Sequence, residues 1–415
     1  MNTDLTHTPG IRRFIEGVSQ DLAVRKTVLA LVPATVVPEV IWQAVRRDMA
    51  WREMRVVQVS LDTLPAELSP ASALSEFLRG GGPATVAALA FSDGLPDVLA
   101  LSGFGRLPEA RRAAWAEFLG QWTQMSRSVD GGGGSPMALC LVCQSTLLPR
   151  TPAADLFLAI HWWWGVLTPL DFRVVCRARP GAGNDHTSAC WREGILPDLS
   201  SGDEALFEHL WETATLDAGA LWGALEDYAA RRGWTPPVLA EIGAGSLLCE
   251  PGAGSRPAPE PAAGHRRLWA AGLLNWTVEY GTELHAAALA ILGQRPQVQH
   301  RIWRGQVATL LPLLDQFRLT LCDIFVLHYG PSVPIEEFPL DGESDTARVR
   351  ENPHSCDLGY LKRLFNGIPA LNALGLARPI RTACWVRNEL AHYRPVEMAD
   401  YVEVRKILVR LQSSF

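Results

Sequence analysis

The sequence predicts a chain in two parts: an α/β N-terminal region with a parallel sheet and flanking helices, then an all-α helical bundle. Three observations predict it. Short, unbroken apolar runs alternate with helical periods through the first 190 residues. From about residue 191 onward, apolar residues recur at helical spacing. Between the two lies EPGAGSRPAPEPAAGH, Glu250–His265, a Pro/Gly/Ala-rich stretch of the kind that joins domains. The expected divisions are therefore an α/β domain over 1–190, a helical extension over 191–249, a linker over 250–264 and a helical domain over 265–415.

The N-terminal strands are read in order from the apolar runs. They are TVLALVPAT (Thr27–Thr35), MRVVQVSL (Met54–Leu61), TVAALAFS (Thr85–Ser92), PDVLALSGFG (Pro96–Gly105), MALCLVCQS (Met137–Ser145) and DFRVVCRA (Asp171–Ala178). Runs this continuous suit strands covered on both faces. PEARRAAWAEFLGQWTQM, Pro108–Met125, carries Ala114, Trp115, Phe118, Leu119 and Trp122 at helical intervals. DGGGGSP (Asp130–Pro136) and RPGAGND (Arg179–Asp185) read as surface loops.

The helical half follows the same logic. DEALFEHLWETAT and AGALWGALEDYAARRG are amphipathic helices. Leu268–Leu292 reads as one helix, and Gln297–Leu327 as another, with Pro296 at its start and a kink expected at Pro312. A Pro-rich acidic loop follows. Leu358–Phe365, a helix carrying WVRNELAHYR (Trp385–Arg394) and Met398–Leu411 complete the chain.

Composition narrows the function classes. The chain has 415 residues, 48% of them hydrophobic and 20% charged, which is a globular balance. Its net charge of −6 gives no overall attraction to nucleic acid. Lysine occurs only at Lys26, Lys362 and Lys406, so arginine supplies almost all the positive charge. That bias, with the wealth of Ala, Gly and Pro, suggests a bacterial gene rich in G and C. The start of the chain lacks a basic, then apolar, leader, and no uncharged apolar stretch is long enough to span a bilayer. Several of the eight cysteines fall in apolar runs, as expected of reduced thiols in a cytoplasm. Cys140 and Cys143 have CxxC spacing, but there is no second pair, and on a strand they point to opposite faces. No metal and no cofactor are expected.

The order of the N-terminal strands resembles that of P-loop ATPases of the AAA+ and STAND types. Thr27–Thr35 stands where the first strand would be, and Pro96–Gly105 where the Walker B strand would be. Gln144 and Ser145 fall at the sensor place. The chemistry departs from the family. After the first strand the chain reads VPATVVPEV, without the glycines and lysine that cradle phosphates. ALSGFG ends its strand without a magnesium-binding acid. The expectation is a degenerate nucleotide fold. VLAEIGAGSLL, Val238–Leu248, looks like the glycine turn of methyltransferases but runs into the Pro-rich linker, so it reads as a turn. RGGGPAT (Arg79–Thr85) is a turn without a phosphate-binding lysine, and HWWWG (His161–Gly165) a core or partner-facing aromatic cluster.

WVRNELAHYR carries the strongest chemical signal. On a helix, Asn388 and His392 stack at i, i+4, with Arg387 on the same side and Ala383, Val386 and Leu390 on an apolar flank. R-N-x-x-x-H is expected by chance roughly 0.01 times in a chain of this composition. From Gly359 to Phe415, nine Lys and Arg stand against four acids, a basic segment in an acidic chain. Imidazole exchanges protons near neutral pH, and a guanidinium fork matches phosphate oxygens.

A helical domain ending in an Arg-polar-x-x-x-His helix resembles the HEPN superfamily, many members of which are metal-independent endoribonucleases. The resemblance covers Arg266–Phe415, about a third of the chain. It implies that His392 is the general acid/base, that Arg387 stabilises the charged transition state and that Asn388 orients them. It implies a homodimer whose motif helices face each other, and products with a 2′,3′-cyclic phosphate and a 5′-OH. The expected function is an RNA-cleaving effector of a bacterial defence or toxin-type system, regulated by the inactive nucleotide-fold domain. Its partners would be RNA, a second copy or other defence proteins, and no membrane. The alternative is a non-catalytic scaffold or adaptor in a defence or nucleic-acid-processing assembly. Capping of the last carbonyls by Arg and His is the plain structural reading of the same residues.

Overall fold

The computed structural model describes residues 7–81, 85–90, 92, 94–128, 137–148, 150–179, 186–213, 215–245, 260–340 and 342–414. The helices are α1 (Pro9–Ala23), α2 (Pro38–Trp51), α3 (Pro70–Arg79), α4 (Val86–Ala90), α5 (Glu109–Ser128), α6 (Pro169–Ala178), α7 (His186–Leu199), α8 (Glu204–Trp211), α9 (Ala218–Arg231) and α10 (Pro236–Ile242). They continue with α11 (Arg266–Ala270), α12 (Ala286–Ile291), α13 (Arg295–Tyr329), α14 (Glu343–Glu351), α15 (Leu358–Gly367), α16 (Pro369–Asn372), α17 (Ala377–Ala391) and α18 (Met398–Ser414). The strands are β1 (Thr27–Val32), β2 (Val56–Ser60), β3 (Val98–Ser102), β4 (Ala138–Gln144), β5 (Leu158–Trp162), β6 (Leu274–Thr277) and β7 (Gly281–Leu284).

The chain forms two compact units that share it in alternating pieces. The first takes Met1–Val175, Ser201–Ala205 and Trp234–Ala288. The second takes Cys176–Ser200, Leu206–Gly233 and Leu289–Phe415. The expected boundaries at 190 and 250–264 differ from these. Most of the linker, up to residue 259, lies outside the described residues, and the segment after it belongs to the sheet-bearing unit. The reason is packing. Trp269 is fully buried, and its indole N–H donates to the Trp163 carbonyl at 3.0 Å.

The first unit holds a five-stranded parallel sheet in the order β2-β3-β4-β1-β5. β1 is buried at every position and β4 at all but its last, as expected of central strands sheltered on both faces. Val28 pairs with Cys140 on one side, and Thr27 with Leu158 on the other. Trp115, Trp122, Phe104 and Phe172 are among the large side chains buried in this unit.

Two of the expected strands are helices. Asp171–Ala178 lies in α6, where the Asp171 carboxylate closes the start of the helix: Thr168 N–H donates to its Oδ2 at 2.9 Å and the Thr168 hydroxyl at 2.7 Å. TPLD is itself a start signal, with Pro at the first helical position and an acid at the third. Val86–Ala90 is the short α4, opened by the Thr85 hydroxyl accepting from Ala88 N–H at 3.1 Å. The fifth strand is LAIHW, β5, which includes the first two residues of the expected aromatic cluster.

The expected helix over Leu268–Leu292 is instead α11, the β6–β7 hairpin and α12. Gly272 at φ +76° stops the helix, and Gly281 at φ +71° begins the return strand. Alanines at both ends gave the segment its helical reading.

The second unit is helical. α13 is a 35-residue helix that continues through Pro312. α7 crosses it closely. A Cβ built on Gly305 would lie 2.1 Å from the Gly194 carbonyl oxygen, so the two glycines let the backbones meet. Beside them the Arg304 guanidinium pairs with the buried Asp198 at 3.1 Å. α15 and α17 pack together, and Trp191 stacks on Tyr401 at 5.0 Å between ring centres. Among the described residues, no helix is long and apolar enough to cross a membrane.

Candidate functional site

α17 is held from its apolar flank. Ala383, Val386 and Leu390 are buried, as is Cys384, whose Sγ donates to the Leu358 carbonyl at 3.2 Å. Burial pushes that thiol's pKa up, while the charges of Lys362 and Arg387 pull it the other way. Both cations therefore act on the same buried sulfur.

The end of α17 is pinned by α13. Trp303 Nε1–H donates to the Leu390 carbonyl at 2.7 Å, satisfying one of the last carbonyls of the helix. Tyr393 takes a left-handed φ of +59° and rests on the Trp303 ring at 4.8 Å. Gln306, 1% exposed, then grips the next segment from both sides. Its Nε2 donates to the Val396 carbonyl at 2.7 Å, and its Oε1 accepts from Val396 N–H at 2.8 Å.

On this support, Asn388 and His392 are exposed and Arg387 is half-buried. His392 lies just past α17, at the cap with φ −100° and ψ 19°, where its own N–H bonds back to the Asn388 carbonyl at 3.0 Å. Among the described residues, the side chains of all three make no hydrogen bond and no ion pair. By contrast Arg394, two residues on, pairs with Glu389 at 2.8 Å.

The exposed stripe extends towards the start of α17. Arg378, Arg381 and Trp385 are exposed and fall within one side of the helix with Asn388 and His392. Trp385 keeps 47% of its surface in solvent. Its spacing of i−3 from Asn388 and i−7 from His392 is legible in the sequence, although its place in the stripe was not part of the expected site.

The sheet offers a second place to look. The connections from β1 and β4 leave in opposite directions, which creates a switch-point crevice at their carboxyl ends. There the turn after β1 reads Pro33-Ala34-Thr35, and Ala34 N–H donates to the Ala270 carbonyl at 2.8 Å. A Cβ on Gly272 would lie 2.4 Å from Thr35 Cγ2. α11 also packs on the turn Ser145–Leu147 that follows β4. At the ends of β2 and β3, Arg106 reaches Asp62 at 2.6 Å and Ser60 at 3.0 Å, and the hydrogen bonds that Asp62 accepts from Arg106 and from the Ser60 hydroxyl hold its carboxyl down to about 2. Gly103, in the left-handed region, follows β3.

Cys140 and Cys143 are buried in β4, and burial raises both thiols, Cys140 to about 12. Among the described residues, no three His, Cys, Asp or Glu side chains gather where they could hold a metal ion. VLAEIG lies in α10 and its left-handed cap Gly243, a helix end rather than a strand leading to a cofactor. The protein-family models, the curated proteins and the solved structures compared with the chain give no match.

Proposed function

We propose that the helical unit is a metal-independent endoribonuclease module of the HEPN kind, the effector of a bacterial defence or toxin-type system. The observation that carries this reading is the state of Arg387, Asn388 and His392. Among the described residues, all three side chains lack bonds on a helix end whose neighbours are bonded. The capping explanation requires the His392 ring or the Arg387 guanidinium to bond the last carbonyls. Neither does, and Trp303 satisfies the Leu390 carbonyl in their place.

In the proposed reaction, the His392 imidazole takes the proton from a ribose 2′-OH, or gives one to the departing 5′-oxygen. The Arg387 guanidinium neutralises charge developing on the phosphoryl oxygens, and the Asn388 amide holds a reacting oxygen in line. One chain supplies one imidazole. A second copy, docked with its own α17, would supply the other acid/base.

The strand order supports the resemblance of the first unit to P-loop ATPases. The bonded turn after β1 and the Asp62–Arg106 pair support a fold that does not hydrolyse nucleotide. In this reading the first unit positions or restrains the nuclease. A scaffold role is the second reading. It is favoured by Trp385 and Tyr393, 47% and 67% exposed beside the motif, where aromatic anchors suit protein partners.

Purified protein incubated with total RNA in EDTA should release fragments ending in cyclic phosphate. R387A and H392A should each lower the rate by about 100-fold or more with the fold intact. Unchanged cleavage in both variants would exclude the assignment, and no cleavage by the wild type with or without a second copy would favour the scaffold.

A further inference from the structure

We propose that the sheet-bearing unit carries a binding site for a small amphipathic carboxylate, under the β4–β5 connection. The site follows from the topology. A parallel sheet needs cover on both faces, and crossover helices normally provide it. The connection from β4 to β5 has only the single turn Ser145–Leu147 among its described residues. It runs as irregular chain through Leu148, Pro152 and Ala153 and leaves a cavity of about 380 Å³ between itself, α5 and the strands β1, β4 and β5. That volume lies in the range of small-molecule sites.

Small residues on α5 keep the space open. Ala116 and Gly120 line it one turn apart, and a Cβ added at Gly120 meets nothing within 4 Å. Leu29, Leu119, Leu141 and Leu158 make the walls apolar. One wall group does not fit a purely apolar filling. Thr27 is 3% exposed, lines the cavity, and its hydroxyl has no hydrogen-bond partner among the described residues. Buried hydroxyls are nearly always bonded, so this one marks a place on the cavity wall where a polar partner is called for.

One cation, Arg127, is tied to the same end as that hydroxyl. Thr27 N–H donates to the Phe157 carbonyl at 2.9 Å. Phe157 N–H and Leu158 N–H donate to Asp155 Oδ1 at 2.8 and 2.9 Å, and Asp155 holds Arg127. Arg127 and Arg150 both line the cavity, and Arg150 pairs with no acid among the described residues. A buried hydroxyl near Arg127, with the acid-free Arg150 also on the wall of an apolar chamber, fits a carboxylate head on a hydrocarbon body. The site is independent of the ribonuclease assignment, because all of its residues lie in the first unit.

Octanoate is the probe, with octanol as its neutral counterpart, titrated into the full chain by calorimetry and thermal shift. Octanoate should bind and raise Tm, and octanol should bind about tenfold more weakly. T27V and R150A should each weaken octanoate about tenfold while leaving octanol unchanged. G120L should abolish binding of both with Tm equal to or above wild type, because it fills open space. Should G120L fold poorly, A116L makes the same test from the neighbouring turn. Absence of octanoate binding up to about 5 mM would overturn the proposal. So would a well-folded G120L that binds like wild type, or equal affinity for octanoate and octanol.

Discussion

Glu397 keeps its proton to a higher pH than an ordinary glutamic acid. A hydrogen bond with Asp217, burial, and the charges of Asp217 and Asp400 raise its pKa from 4.5 to about 7. A carboxyl with a raised folded pKa contributes stability that is complete below 4.5 and lost as pH climbs through about 7. The second unit should therefore melt lower at pH 8 than at pH 6, by about 1–2 °C, and E397Q should remove that dependence. A melting profile equally steep in E397Q would refute the attribution. Trp385 makes a second prediction at this scale. If the stripe on α17 receives RNA, a base can stack on its exposed ring, and W385A should raise KM for single-stranded RNA by about tenfold with little change in kcat. A fall in kcat alone would place Trp385 in support of the helix.

At the level of elements, α7 and α13 approach closely. G305A places a methyl carbon against the Gly194 carbonyl, and backbone cannot yield as a side-chain tip can. Overpacking of this kind costs about 2–3 kcal/mol, so Tm should drop by roughly 5–10 °C. Within about 1 °C of wild type, the crossing would have to be looser than described. Neither Gly194 nor Gly305 stood out in the sequence, because each is a lone glycine within an apolar period and acquires meaning only beside its partner. The elements legible in advance were those with one dominant signal. The unbroken apolar run announced β1 and β4, and helical spacing announced α5, α9 and α13. DFRVVCRA misled because its β-branched pair outweighed TPLD, a start signal made of single residues. β5 was hidden because LAIHW runs into two further tryptophans and looks like a cluster. For the candidate site, residue types and spacing were legible. The exposure of His392 was not, because it depends on Trp303, 87 positions before Leu390, satisfying the Leu390 carbonyl.

For the molecule as a whole, alternation of the chain between units decides what can be cut. Residues 265–415, the module suggested by the linker, include Arg266–Ala288 of the sheet-bearing unit and omit α7, α8 and α9. Expressed alone, that fragment would expose the face of α13 that meets α7, and should be insoluble or melt without cooperativity. A sharp, reversible melt for it would show that the second unit stands without α7. The parallel sheet makes its own prediction. With Ala34 bonded to Ala270 at the end of β1, millimolar ATP and magnesium should leave Tm within about 1 °C and release no phosphate.

The Trp269 contact has a consequence for biosynthesis. A ribosome delivers β5 complete at Trp162, yet the indole that seals its carboxyl end arrives about 100 residues later. During that interval five nascent strands stand beneath an unroofed edge, sticky to one another and to neighbours. Yield in a heterologous host should thus respond more to slowed translation or added chaperone than to any single substitution on the surface.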